Sequence, residues 1–452
     1  MMEIKKRELD ARIYFAMKAA SMGYSACFGK KSVIYYYRKY LTKGLVFFKS
    51  LGPNNTILID RIKSAGHKIL AWDEEGMTFI PEDYNDRRLY EKNFKKVELF
   101  FSWGKMDTDI IKKYQPNDMK KVFMVGNSRI DVLKSPFNKF YNFESKRIKE
   151  KYGNFILFPT VFTRLNRASI YDIDAVEGLK RIGIFKKDSP SLKIMETMKN
   201  QQGEILKVFI EYFKWFSNEC PNVKLIVRPH PSENINFWFN LLKEYKNIEV
   251  VFDAENTSSW IAASDFLIST NCSTAIEAFF LGKKAVNFLP YKDEYVEYKL
   301  PKILSTVVRD LQTLKEITKS IELKKTTLDK VNARQDIINE WICNAFSHCS
   351  VEKTVNILEK NEDIASFFKK SKEDKFSNKY FFIIFSLIKK MRLLYHRLFT
   401  KKTFARIDVL IDQKFPSLNK DEIEYRVNFF SQFFKNKKFI VKELYPGVFS
   451  ID

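Results

Sequence analysis

Short apolar runs alternate with helical patterns along most of the chain. Residues 7–22 carry apolar side chains at helical spacing and predict an amphipathic opening helix. Residues 44–48, 68–72, 97–101 and 122–126 predict strands, with a helix at 54–64. A second series follows, with strands at 154–158, 223–228, 248–252, 266–269 and 284–288 and helices at 203–218 and 234–245. Strands separated by helical stretches imply βα units and parallel sheets. Between the two series, residues 135–151 are polar and charged and carry Pro136, which predicts an interdomain linker. The fold class expected is α/β, with two doubly wound parallel-sheet domains facing a cleft over residues 1–138 and 139–360.

The pattern changes in the basic tail, residues 361–452, which is expected to be helical. Residues 369–406 hold 12 Lys/Arg against Glu373 and Asp374. Inside lies an apolar run, 380–388, too short to span a bilayer and closed by Lys389 and Lys390. A basic segment with bulky apolar residues is the expected form of an anchor on an anionic membrane surface. The alternative is a helix packed on the chain's own core. Length fits the two-domain reading, since 452 residues exceed one ordinary core. The net charge of +23 favours an anionic partner. Five scattered cysteines without a CxxC argue against a disulfide framework and for a reducing cytoplasm. The first ten residues have no apolar stretch of a secretory leader.

Three stretches carry candidate chemistry. In 225–234 a strand runs into Arg228-Pro229-His230-Pro231-Ser232, and a helix follows. The prolines stiffen the turn and place His230 at the top of a sheet, where an imidazole, helix-start amides and Arg228 suit phosphate. In 266–282 a strand ends in Ser269-Thr270-Asn271-Cys272-Ser273-Thr274, and Glu277 lies one turn into the helix. Capping needs one hydroxyl; four within six positions predict an anion cradle, with Glu277 accepting from a sugar hydroxyl. Cys272 reads as a packing residue. The third stretch, Asp73-Glu74-Glu75-Gly76, closes a strand of the first domain. Mutual repulsion and burial there would raise a carboxyl pKa toward that of a general base. Asp107/Asp109 and Asp172/Asp174 have DxD spacing, a common chance pattern, and no Cys/His cluster supports zinc. No metal, cofactor or nucleic-acid partner is expected.

These residues resemble bacterial surface-carbohydrate glycosyltransferases of the GT-B type, related to the Kdo transferases of capsule and O-antigen synthesis. The resemblance runs through residues 7–10, 48–51, 71–76, 125–131, 158–169, 228–234 and 269–286, and so covers roughly residues 1–360. It implies a donor made of CMP and a Kdo-like or nine-carbon ulosonic acid. His230, with Arg228, Pro231, Ser232, Ser269, Thr270, Asn271, Ser273, Thr274 and Glu277, would bind that donor. Asp73, Glu74 or Glu75 would act at the reacting centre with His230. Lys49, Arg164 and Arg167 are placed by position to meet the ulosonate carboxylate. The first domain would take a glycan or lipid-linked acceptor, at the inner face of the cytoplasmic membrane. Alternatives are a GT-B transferase using a nucleotide-diphosphate sugar or CDP-polyol, and a non-catalytic basic protein on the same scaffold.

Overall fold

The alternating apolar runs condense into two parallel sheets in the computed structural model, which describes residues 1–168, 176–177, 180, 189–253, 255–322, 334–347, 350–371, 413–435 and 437–452. The chain opens with helix α1 (Lys5–Ser21) and strand β1 (Ala26–Gly29). The first sheet then sets β2 (Leu45–Phe48), β3 (Lys68–Trp72), β4 (Leu99–Ser102) and β5 (Val122–Met124) side by side in chain order. Successive residues point to opposite faces. Ile69, Ala71 and Phe100 therefore enter one core, while Leu70, Trp72, Leu99 and Phe101 enter another. Buried strands of this kind need cover on both sides. Ile59 and Ile111 cover one face, and Leu358 and Ile364 the other.

The second sheet contains β6 (Phe155–Pro159), β7 (Lys224–Arg228), β8 (Ile248–Val250), β9 (Phe266–Ser269), β10 (Ala285–Phe288) and β11 (Thr306–Val308). Its order is β11-β10-β9-β6-β7-β8, with every pairing parallel. The chain builds outward from β6 to β8 and then returns to add β9 on the other side of β6. The crevice at the carboxyl ends of β6 and β9 is thus the topological switch point, where such sheets bind ligands. Two doubly wound domains facing a cleft, the GT-B-like arrangement, are what the strand pattern predicts.

Three features depart from the sequence reading. The expected linker is a helix, Lys139–Tyr152, with Phe140, Tyr141, Glu144 and Ile148 buried. Its spacing of four put these on one face, but the surrounding lysines masked it. It packs against the helix Thr257–Ala263 of the second domain. The chain also re-enters the first domain ahead of residue 360. Cys343 N donates to Trp103 O at 2.7 Å, and Asn344 Nδ2 to Val125 O at 3.1 Å.

The third departure is the end of the tail, which is not wholly helical. Strands β12 (Val441–Tyr445) and β13 (Val448–Ile451) form a hairpin, and β13 pairs antiparallel with β1. Gly447 turns the hairpin at φ +75°, and its carbonyl packs so close to Gly29 that a Cβ there would lie 2.6 Å away. The helix Lys420–Ser431 buries Ile423, Val427 and Phe430, and Phe430 lies 6.1 Å from the Tyr14 ring of α1. The described ends of the tail are core elements. The apolar run 380–388, on which the membrane reading rests, lies outside the described residues. No described helix is long and apolar enough to cross a membrane.

Phe449 is fully buried where β13 closes on β1. Phe449→Ala is expected to cost about 3–5 kcal/mol in urea denaturation. Lys442→Ala, on the exposed side of the same hairpin, should stay within about 0.5 kcal/mol of wild type.

Candidate active site

The turn after β7 is held from beneath. His230 N donates to Thr160 Oγ1 at 3.2 Å, and Thr160 donates in turn to Glu233 Oε2 at 2.7 Å. Trp238 Nε1 donates to the same carboxylate oxygen at 2.7 Å. Glu233 is fully buried, and burial pushes its carboxyl up to about 7. Ser232 N donates to His230 Nδ1 at 3.1 Å, so the ring proton sits on Nε2. Desolvation first, then the Arg7 charge, pushes the imidazole down to about 3. At neutral pH His230 is therefore an uncharged N–H donor, not a cation. Arg228 does not share its site. Its Nη2 donates to Asp253 at 2.9 Å, and its guanidinium stacks over Trp260.

The hydroxyl cluster lies across the switch point, at the end of β9. Ser273 occupies the N-cap of the helix Thr274–Phe280 but makes no capping bond. Ser269 Oγ and Thr270 Oγ1 are buried and have no hydrogen-bond partner among the described residues. The capping explanation thus fails for these hydroxyls, and buried unpaired polar atoms need a ligand or another partner. Asn271 has a different task. It takes φ +46°, which asparagine tolerates, and its amide is consumed by Tyr298 N at 2.7 Å and Val296 O at 2.9 Å. Both Glu277 oxygens already accept, from Arg129 Nη2 at 3.1 Å and Ser258 Oγ at 3.2 Å. Cys272 is half-buried, with its thiol pushed up by burial.

The acids of the first domain divide their roles. Asp73 is buried; desolvation raises its carboxyl, and Arg88 opposes that. Glu74 is buried and ion-paired with Arg12, which with Arg129 outweighs desolvation and holds it low. Glu75 reaches the cleft with its side chain 36% exposed. Arg88, and Arg7 at 3.3 Å, hold it well below the usual carboxylate range. Its charge is felt at His230, so the two sides of the cleft meet there. Asp107, by contrast, caps the helix Lys105–Tyr114 through Trp103 N and Gly104 N, each at 2.9 Å. Asp109 pairs with exposed Lys105. Asp172 and Asp174 lie outside the described residues, and among those described no His/Cys/Asp/Glu group is arranged to hold a metal ion.

The three expected carboxylate-binding cations part company. Lys49 pairs with Glu3 at 2.7 Å and Glu8 at 3.4 Å. Arg167 bridges to Glu233 through the backbone, and its charge with that of Lys49 acts on Lys414. Arg164 instead lines a cavity with Arg87 of the first domain, its Nε 3.4 Å from Met195 Sδ. The sequence reading missed Lys414, whose charge reaches His230 and whose neighbour Gln413 donates to Glu233 O at 2.7 Å. It also missed Arg12 and Arg88, which lie in no stretch of the resemblance, and gave no role to Arg7 and Thr160, which fall inside its 7–10 and 158–169 stretches. Arg129 had a signal, for it falls inside the 125–131 stretch of the resemblance.

No family model matches the chain, and no curated protein matches it. Among solved structures, similar ones include a wall teichoic acid polymerase TagF variant soaked with CDPG, at 16% identity over 68% of each chain and a TM-score of 0.38. The UDP-GlcNAc 2-epimerase from Methanocaldococcus jannaschii is similar at 13% identity over 73% of this chain and 82% of that one, with a TM-score of 0.43. Anabaena Alr3699/HepE with UDP and glucose is similar at 11% identity over 73% of this chain and 81% of that one, with a TM-score of 0.39.

Glu233 yields a pH prediction. Its carboxyl is raised from an unfolded value of about 4.3 to about 7, so the folded state binds the extra proton. Its contribution is fully present below about pH 4.3 and is lost as pH rises through about 7. Glu233→Gln should abolish that loss. The unfolding free energy from urea titrations across about pH 5 to 8 should fall less in the variant, by a few kcal/mol at most. An equal fall in both proteins contradicts a titrating Glu233.

Proposed function

We propose that this chain is a glycosyltransferase that moves a Kdo-like or nine-carbon ulosonic acid from a CMP-activated donor to a surface-glycan acceptor. The observation that carries the reading is the pairing at the switch point. A neutral imidazole with its proton on Nε2 ends β7, and two buried, unpartnered hydroxyls, Ser269 and Thr270, lie across β6 at the end of β9, with the Glu75 charge reaching the imidazole from the first domain. Donors aimed at a developing oxyanion in a desolvated site are a strong catalytic device. The ulosonate identity rests on the sequence resemblance, and Lys414, whose charge reaches His230, is suited to its carboxylate, with Arg167 and Lys49 acting on Lys414.

In the reaction the bond between the anomeric carbon and the CMP phosphate oxygen breaks, and its electron pair leaves on that oxygen. His230 Nε2–H and the hydroxyls donate to the departing phosphate. The acceptor hydroxyl bonds to the anomeric carbon and gives its proton to Glu75. Glu75 is a weak base while Arg7 and Arg88 hold it. A donor phosphate that draws Arg7 away makes it more basic, so donor binding precedes proton abstraction. Asp73 and Glu74 act behind it, Asp73 by holding Arg88 and Glu74 by holding Arg12.

A second reading, a nucleotide-diphosphate sugar or CDP-polyol donor, is favoured by Arg7. Its charge reaches both His230 and Cys272, where a second phosphate could lie. For either donor, docking of the 369–406 segment on an anionic membrane face would bring the site to a lipid-linked acceptor.

Calorimetric titration with CMP, CDP and UDP separates the readings. CMP binding as tight as CDP supports the ulosonate donor, and a clear preference for a diphosphate supports the second. His230→Ala should fold normally and lose on the order of 10²-fold or more in turnover. Wild-type turnover in that variant removes the assignment. Because His230 is neutral throughout, it adds no step of its own to the pH profile of nucleotide affinity: His230→Asn should change the affinity by the same factor at about pH 6 and at about pH 8.

A further inference from the structure

Beyond the acid cluster, a cavity lies between the two domains. Phe79, Arg87 and Arg88 line it from the first domain, and Arg164, Met195 and Tyr298 from the second. Arg87 is the seventh residue of the helix Pro81–Arg88, while Arg164 sits in the loop after β6. Their guanidinium groups converge on one atom. Arg87 Nη1 lies 3.2 Å and Arg164 Nε 3.4 Å from Met195 Sδ. A thioether sulfur is a weak acceptor and carries no charge to answer two cations.

The charges around the cavity do not balance. Arg87 is answered by Asp83 at 2.6 Å, and Arg88 by Asp73 and Glu75. No carboxylate among the described residues pairs with Arg164. Burial first, and then the Arg88 and Arg164 charges, oppose the charge on Arg87. Guanidinium forks from opposite domains with so poor an acceptor suit an oxyanion, which takes charge-assisted bonds from both.

We propose that this cavity is an anion subsite in which Arg87 and Arg164 grip a phosphate or carboxylate group of the acceptor, bridging the domains. Arg88 joins the subsite to Glu75, so an acceptor held there by its anionic group presents a neighbouring hydroxyl to the acid cluster. Naming the ligand an acceptor rests on the proposed function; the anion site itself does not.

The test is calorimetric titration of the full-length chain with inorganic phosphate, and separately with acetate, in the presence of saturating CMP to occupy the donor cradle. Saturable binding is expected, stronger for whichever oxyanion the acceptor carries. Arg164→Gln and Arg87→Gln should each weaken it about tenfold or more, the scale of a lost charge-assisted bond, with CMP affinity unchanged. Arg164 is half-buried in a loop, so its variant tests the site even if Arg87→Gln fails to fold. The proposal is overturned if neither anion binds saturably to the wild type, or if Arg164→Gln binds both as the wild type does. Should CMP fail to bind while phosphate still depends on Arg164, the donor reading falls and the anion subsite stands.

Discussion

A charged helix buried at a three-way junction is the constraint on which the structure turns. Helix α1 carries Lys5, Lys6, Glu8, Asp10 and Arg12, all less than a tenth exposed. Charges taken out of water need partners, and removing one partner of a buried pair costs about 3–5 kcal/mol. The partners come from every part of the chain. Lys5 pairs with Glu422 at 2.5 Å and Asp10 with Arg426 at 2.7 Å, both in the tail. Asp10 also accepts from Asn256 of the second domain, and Arg12 pairs with Glu74 of the first. Lys6 sits 3.8 Å over the Phe252 ring, and burial pushes its amine down to about 7. One helix thus fixes the two sheets and the tail in a single relation.

The cleft inherits its electrostatics from that junction. Arg12 anchors Glu74, and the next residue, Glu75, is thereby turned out to the cleft. Arg7, five residues earlier on the helix, meets Glu75 there and acts on His230. Arg129 crosses from the first domain to Glu277 in the second, its guanidinium also donating to Glu74 O at 2.8 Å. Acid and imidazole therefore face each other as parts of one network. The desolvation that keeps His230 neutral also strengthens any hydrogen bond it donates.

The excess of basic residues has a corresponding distribution. Many lysines and arginines on the surface make exposed pairs that contribute little to stability. Others gather around the cleft: Arg7 and Lys414 act on His230, Lys49 and Arg167 act on Lys414, and Arg87 and Arg164 line the cavity beyond Glu75. An anion entering from either side meets positive charge held in a partly dry setting, where Coulomb interactions fall off less than in bulk water.

Local pattern was enough to reveal the two parallel sheets, because strand length, apolar runs and intervening helical spacing are short-range properties. It was also enough to single out the histidine between prolines, the hydroxyl run and the acid triplet, since each sits in a strand-end context written in consecutive residues. It could not say which member of each set faces the ligand. Ser269 and Asn271 are two positions apart, yet one hydroxyl is unpartnered and the other amide is consumed by Val296 and Tyr298. Nor could it read α1 as buried on all sides, because its sequence is that of a solvated amphipathic helix. The linker that became a helix and the tail that returned to pair with β1 were decided the same way. Each depends on partners more than a hundred residues distant along the chain, and only tertiary packing brings those charges and apolar faces together.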